Sequence, residues 1–309
     1  MTSTIKQIAQ SDVPASFGWA KAVAALKAGH RLPQAQIKDQ FLSRGDDAFM
    51  TRAAWIEGLG IGVKSFTVFP GNAAKGLPSV QGAMQIFDEA TGAPVALVAS
   101  DVVTYWKTAA DSVLGALLLA RPDSRHLLVV GTGIVASSLI LAYGEMFPKL
   151  ERITIWGRNP DNAAALAMNN GNLPFEVRAT SDLAAAAAAA DIITSATMAK
   201  TPILNGDWLR EGTHVDLIGA FKSDMREADD RLLKRGRLFV DSFDTTLAHI
   251  GELSIPLAEG TITRDDVLGD FYDLVAGKIG RVSDRDITVF KNGGGAHLDL
   301  MTAMAIVAG

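Results

Sequence analysis

Residues 127–140 read LLVVGTGIVASSLI, and this stretch decides the fold. Four apolar residues make a buried strand that stops at a Gly-x-Gly. A helical apolar pattern begins at once behind it. Gly131, Gly133 and Ala136 match G-x-G-x-x-A. In such a loop the first glycine permits a tight turn and the second lets the backbone approach a pyrophosphate. The alanine lets the helix pack closely on the strand. The helix N-terminus offers free N–H groups and a partial positive charge to an anion. A tight βα turn with no ligand has the same local pattern, so the flanking sequence has to decide between them.

Downstream, RITIWGR (152–158), FEVRA (175–179), ADIITSAT (190–197), THVDLIGA (213–220) and RLFVDSFD (237–244) read as strands with helical or loop material between them. The alanine run after Ser181-Asp182 is a helix with a capping start. DITVFKNGGGAHLDLMTAMAIVAG closes the chain as a strand, a glycine hinge and an apolar helix. Strands alternating with helices predict a parallel sheet covered on both faces, a Rossmann-type dinucleotide-binding domain. Upstream the rhythm differs. Residues 12–29 read as a helix with Phe17, Ala20, Ala24 and Leu26 on one side. Residues 61–72 read as a strand ended by Pro70-Gly71-Asn72. VQGAMQIFDEATGAPVALVAS reads as two strands around a turn at 88–92. A helix from about Asp101 has Trp106, Ala110, Val113 and Leu117 as its buried stripe. The fold class is α/β, with an α+β domain ahead of the dinucleotide-binding one.

The totals narrow the partners. A formal net charge of −5, with no basic run, argues against nucleic acid. There is no cysteine, so disulfides and thiolate metal sites are excluded. The five histidines have no metal-ligand spacing, and no metal is expected. No G-x-S-x-G or P-loop is present. The N-terminal stretch has no long apolar core, so no leader and no membrane span are expected, and the protein reads as cytoplasmic.

The tip of the second strand bears on the cofactor. An acid there would hydrogen-bond a ribose 2′-OH. Here Gly157 is followed by Arg158 and Asn159, and an arginine suits a 2′-phosphate. NADP(H) is therefore preferred, with NAD(H) as the alternative. Thr132, Ile134 and Val135 belong to the glycine loop. Ser195, Ala196, Thr197 and Met198 follow the fourth strand, where small and hydroxyl residues border a cofactor or simply enter a loop. Thr108 and Gly219 complete the cofactor-binding candidates. Three cations stand out in the first domain. Lys64 shares a strand face with Phe66 and Val68, so it either reaches water or sits in a cleft with its pKa lowered. Arg52, in MTRAAW just ahead of that strand, reads on its own as solvated. Lys107 is spaced for a helical ion pair with Asp111, or serves as a second cation for an acidic substrate.

GVKSFTVFPGN, GLPSVQGAMQIFDEATGAPVALV, WKTAADS, VVGTGIVA, GTHVDLIGAFKSDMREAD and DITVFKNGGGA together resemble the ornithine cyclodeaminase/μ-crystallin family over most of the chain. The resemblance implies an NAD(P)-binding homodimer. Its substrate-binding and dimerisation domain would take residues 1–120 plus 290–309, and its Rossmann domain residues 121–289. It places Lys64 on the family's active-site lysine. It places Lys107 where many members bind the substrate carboxylate with an arginine, and it makes Arg52 an additional carboxylate contact. In the cyclodeaminases an aspartate follows the glycine after the fifth strand; here that residue is Ala220. The expected activity is NADPH-dependent reduction of a small cyclic imino acid, Δ1-pyrroline-2-carboxylate or Δ1-piperideine-2-carboxylate, with Lys64 catalytic. The alternatives are ornithine cyclodeamination with recycled NAD, an alanine dehydrogenase-like oxidoreductase, and a ligand-binding protein without catalysis.

Overall fold

The upstream residues form a sheet that the sequence discloses only in part. The computed structural model describes residues 5–309; residues 1–4, where the stretch read for a leader begins, lie outside it. The first elements are β1 (Lys6–Ile8), α1 (Trp19–Gly29), β2 (Gln36–Arg44), β3 (Asp47–Ile56), β4 (Gly60–Val68), β5 (Val80–Phe87), β6 (Pro94–Ala99) and α2 (Ser100–Leu119). The strands lie in the order β1-β6-β5-β4-β3-β2. Neighbours from β2 to β6 run antiparallel, and β1 runs parallel to β6.

Two expectations need correction here, for the first helix and for α2. The first helix starts at Trp19, behind Gly18, because Pro14 and Gly18 break the run ahead of it. Its buried stripe is Trp19, Ala22, Val23 and Leu26, whereas Ala20 and Ala24 face out. The strand read in 61–72 is Gly60–Val68, and the Pro70-Gly71-Asn72 stretch read as its end opens a 3-10 turn, Pro70–Lys75. In α2, Ala110 and Val113 are buried, but Leu117 is 40% exposed. The β2–β3 hairpin is an addition. Its turn uses Gly45 at φ 60°.

The remaining elements follow the expected alternation. They are β7 (His126–Val130), α3 (Ile134–Met146), β8 (Arg152–Trp156), α4 (Pro160–Asn169), β9 (Glu176–Thr180), α5 (Leu183–Ala189), β10 (Ile192–Ser195), β11 (His214–Leu217), α6 (Asp230–Arg235), β12 (Arg237–Val240), α7 (Phe243–Thr246), α8 (Gly251–Ala258), α9 (Phe271–Val275), β13 (Thr288–Lys291) and α10 (Ala296–Ala308). Seven parallel strands lie in the order β12-β13-β11-β10-β7-β8-β9. Every residue of β7 is buried, as a strand covered on both faces requires. Asp182 caps α5 by accepting the Ala185 N–H at 2.9 Å. The strand order reverses between neighbours β7 and β10, the place where such sheets open a crevice.

Two compact units result. One runs to Ala110 and takes in Gly295–Gly309; the other is Asp111–Gly294. Within the first, α10 packs on α1 and across β3 and β4. Among the described residues no helix is long and apolar enough to cross a membrane.

Candidate active site

In the first unit, the antiparallel register puts Arg52 of β3 directly opposite Lys64 of β4. Opposed residues share a face, so two like charges stand side by side, an arrangement that destabilises a sheet. Lys64 is 7% exposed. Its ammonium donates to Asp299 Oδ1 at 3.1 Å and to Thr104 Oγ1 at 2.9 Å. Thr104 in turn donates to the Ser100 carbonyl at 2.7 Å. The ammonium also lies 5.4 Å from the centre of the Phe66 ring, two residues along the same face. Burial lowers the Lys64 pKa; Asp299 opposes that shift, while Lys107 and Arg52 add to it. Burial pushes the Asp299 carboxyl up, but Lys64, then Lys107 and Arg52, outweigh it and hold the group below its ordinary range.

Lys107 is 8% exposed and has no ion-pair partner among the described residues. Arg52 donates from Nε to Asp39 Oδ2 at 2.8 Å. Three cations thus share a cluster with two carboxylates, one of them the part-exposed Asp39. His297 is fully buried against His30, ring centres 5.6 Å apart and edge to face. Burial, followed by the nearby His30 and Lys107, holds its pKa well below the ordinary value, so it adds no further charge. Both of its ring nitrogens lack partners among the described residues, as does Asp299 Oδ2. The cluster can accept one more carboxylate and deliver one proton.

Lys64, Lys107 and Arg52 were candidates from sequence; Asp299, Thr104, His297 and Asp39 were not. Asp299 carried a signal: it is the one acid in the apolar helix α10.

The second unit gathers the other candidates. Gly131 has φ 129°, and a Cβ there would lie 2.6 Å from the Ala196 carbonyl oxygen. That close approach joins the loop after β7 to the loop after β10. Gly133 caps α3, and the space where its Cβ would stand is open. Thr132 packs its methyl against Gly157 at the tip of β8. Ile134 is 82% exposed and Val135 half-buried, while Ala136 is buried under the helix. A dinucleotide pyrophosphate fits here, because turn, open cradle and helix N-terminus coincide.

Arg158 is exposed just past Gly157. Asn159 is also exposed, but its side chain accepts the Asp161 N–H and caps α4, which is a local structural task. Ser195 is buried, Ala196 and Thr197 are half-buried, and Met198 is 74% exposed. Gly219 follows β11, and a Cβ there would meet the Thr197 carbonyl oxygen at 2.1 Å. Thr108 lies instead in the first unit, half-buried on α2 next to Lys107. Glu227, missed in the sequence, is buried and bonds to Ser195, Thr197 and Gly219.

Comparison with known proteins identifies the family and the fold. Residues 33–308 match the model of the ornithine cyclodeaminase/mu-crystallin family. Over 300 residues the chain is 58% identical to a Δ1-pyrroline-2-carboxylate reductase of Paracoccus denitrificans, covering 97% of this chain and 95% of the relative. Its fold resembles that of the Thermococcus litoralis Δ1-pyrroline-2-carboxylate reductase in complex with NADH and L-proline. That match has TM-score 0.90 and 28% identity, and covers 98% of this chain and 97% of that one. An archaeal alanine dehydrogenase dimer with bound NAD matches with TM-score 0.90 and 26% identity, covering 98% of this chain and 95% of that one.

Proposed function

The chain belongs to the ornithine cyclodeaminase/mu-crystallin family, and from that premise we propose that it reduces Δ1-pyrroline-2-carboxylate or Δ1-piperideine-2-carboxylate to L-proline or L-pipecolate. The observation that carries this reading is the buried Lys64–Asp299 pair with Lys107 and Arg52 beside it. Lys107 and Arg52 hold the substrate carboxylate. Lys64 gives a proton to the ring nitrogen, and its lowered pKa eases that transfer. Asp299 and Thr104 fix the ammonium in one position. A bound reduced nicotinamide supplies the hydride that adds to the carbon of the C=N bond. The second unit holds that cofactor at Gly131, Thr132 and Gly133, with Ser195–Thr197 and Gly219 bordering it.

Arg158, in place of an acid at the tip of β8, supports NADP(H) over NAD(H). Ala220 supports reduction over deamination. It brings no carboxylate and is buried with Met225 and Ile250. A homodimer is supported by β2, an edge strand exposed along nearly its whole length. Phe41 and Leu42 on it are 59% and 55% exposed, and such an apolar edge calls for a cover. We place the enzyme in the cytoplasm.

The test follows NADPH absorbance with each cyclic imine, beside NADH, alanine and ornithine plus NAD as parallel samples. Oxidation of NADPH by either imine, with no ammonia from ornithine, is the expected result. Ammonia release, or silence with both imines, sinks the proposal.

A further inference from the structure

Glu227 sits in the charge run SDMREADDR, residues 223–231, where any member would pass for a solvated side chain. It is instead 0% exposed. Its Oε1 accepts from Ser195 Oγ at 2.6 Å, the Thr197 N–H at 2.8 Å and Thr197 Oγ1 at 2.7 Å. Its Oε2 accepts from the Gly219 N–H at 2.7 Å and the Ala220 N–H at 3.2 Å. Strands β10 and β11 are parallel neighbours, with Ser195 beside Leu217. One carboxylate therefore ties together the chain leaving two adjacent strands, at the sheet's carboxyl end.

Two further charged groups hold this clamp. Glu252 accepts the backbone N–H of Glu227 at 2.7 Å and of Ala228 at 3.0 Å. The buried Lys291 ammonium donates to the carbonyls of Leu217 and Ala220, both at 2.8 Å, and of Asn292 at 2.6 Å. The segment after β11 is thus gripped by its N–H groups from one side and its carbonyls from the other. Gly219 fits only because it has no Cβ, since Glu227 Oε1 would lie 2.5 Å from one. Burial pushes the Glu227 carboxyl up, and Lys291 and the Ser195 and Thr197 donors oppose that push.

We propose that Glu227 is the positioning residue of the dinucleotide site, setting the backbone of 195–197 and 219–220 to which the cofactor docks. The inference rests on the nicotinamide reading above. Glu227 itself does not touch cofactor or substrate. Its removal therefore weakens cofactor binding without changing the proton chemistry at Lys64.

The test is a direct fluorescence titration of NADPH with the wild type, Glu227→Gln and Glu227→Asp, beside steady-state kinetics and thermal melts with and without NADPH. Glutamine turns an N–H₂ toward one set of donors. Aspartate keeps the charge but is too short to reach both strands. The expected result for Glu227→Gln is an NADPH Kd and KM raised by about tenfold or more, with kcat and imine KM within about twofold. The rise in Tm produced by NADPH shrinks to match, and Glu227→Asp falls between glutamine and wild type. A folded Glu227→Gln with unchanged Kd overturns the inference. So does a loss shared equally with imine KM. If neither variant folds, Glu227 serves the fold of the unit and the assignment fails. A wild type that binds neither NADPH nor NADH sinks the cofactor reading, and this inference with it.

Discussion

Each unit buries an ion cluster, and the two clusters are finished to different degrees. Around Glu227, Glu252 and Lys291, every charged oxygen and the ammonium have partners within the unit. Around Lys64, the unit leaves Asp299 Oδ2 and both His297 nitrogens without partners among the described residues, and Lys107 without an ion pair. An unmade hydrogen bond in a buried place is unfavourable by about 1–3 kcal/mol, which makes each one a candidate for completion by something else. The saturated cluster is framework. In the proposed reaction the unsaturated one is where the substrate supplies missing partners.

The comparison breaks most visibly at Lys64. Lys64→Ala is expected to lower turnover by about a hundredfold to ten-thousandfold, while NADPH titrates as in the wild type. Retained turnover would take Lys64 out of the chemistry and leave the pair with Asp299 as mere structure. Lys107→Ala comes next. Loss of a charged hydrogen bond to the carboxylate raises the imine KM by about 10- to 150-fold, with kcat changed less. An unaltered KM would mean that Lys107 is not the incomplete partner. Arg158→Ala sharpens the account of the second unit. It weakens NADPH by about tenfold and NADH by about twofold or less, measured as separate Kd values. Equal losses would deny Arg158 its phosphate.

The last prediction concerns the saturated cluster. Burial, then the neighbouring Glu227, pushes the Glu252 carboxyl from 4.5 up to about 7. A group raised in the fold contributes stability below its unfolded pKa and loses it as pH rises through the folded one. Glu252→Gln lacks that loss. Its unfolding free energy relative to wild type, read by denaturant titration, should therefore climb between about pH 4.5 and 7, by at most about 1.4 kcal/mol per pH unit. A difference that stays flat across that range would show that Glu252 titrates normally.

Much of this was legible in the sequence, for identifiable reasons. The parallel strands are short apolar runs separated by turns, because both faces of that sheet are covered. The β2–β3 hairpin hid because β2 is exposed on both faces, so no alternation of apolar and polar residues marks it. That is why Arg52 read as a solvated residue ahead of a strand, although it stands on its own strand opposite Lys64. Helix α1 was placed too early because a weak apolar period ran through Pro14 and Gly18. Asp299 was visible as an acid in an apolar helix, but its partner was not, since 235 positions separate it from Lys64. Glu227 could not be picked from its neighbours, because which member of a charge run turns inward is decided by distant chain.

That separation sets a timetable for synthesis. The whole of the second unit, Asp111–Gly294, is made after Lys64 and before Asp299. A chain ending at Gly294 has complete strands for the seven-stranded sheet but lacks the helix that carries the lysine's counter-ion. A chain truncated after Gly294 should therefore keep a protease-resistant second unit while its first unit is open to digestion. The buried Lys64–Asp299 pair forms only once α10 is present.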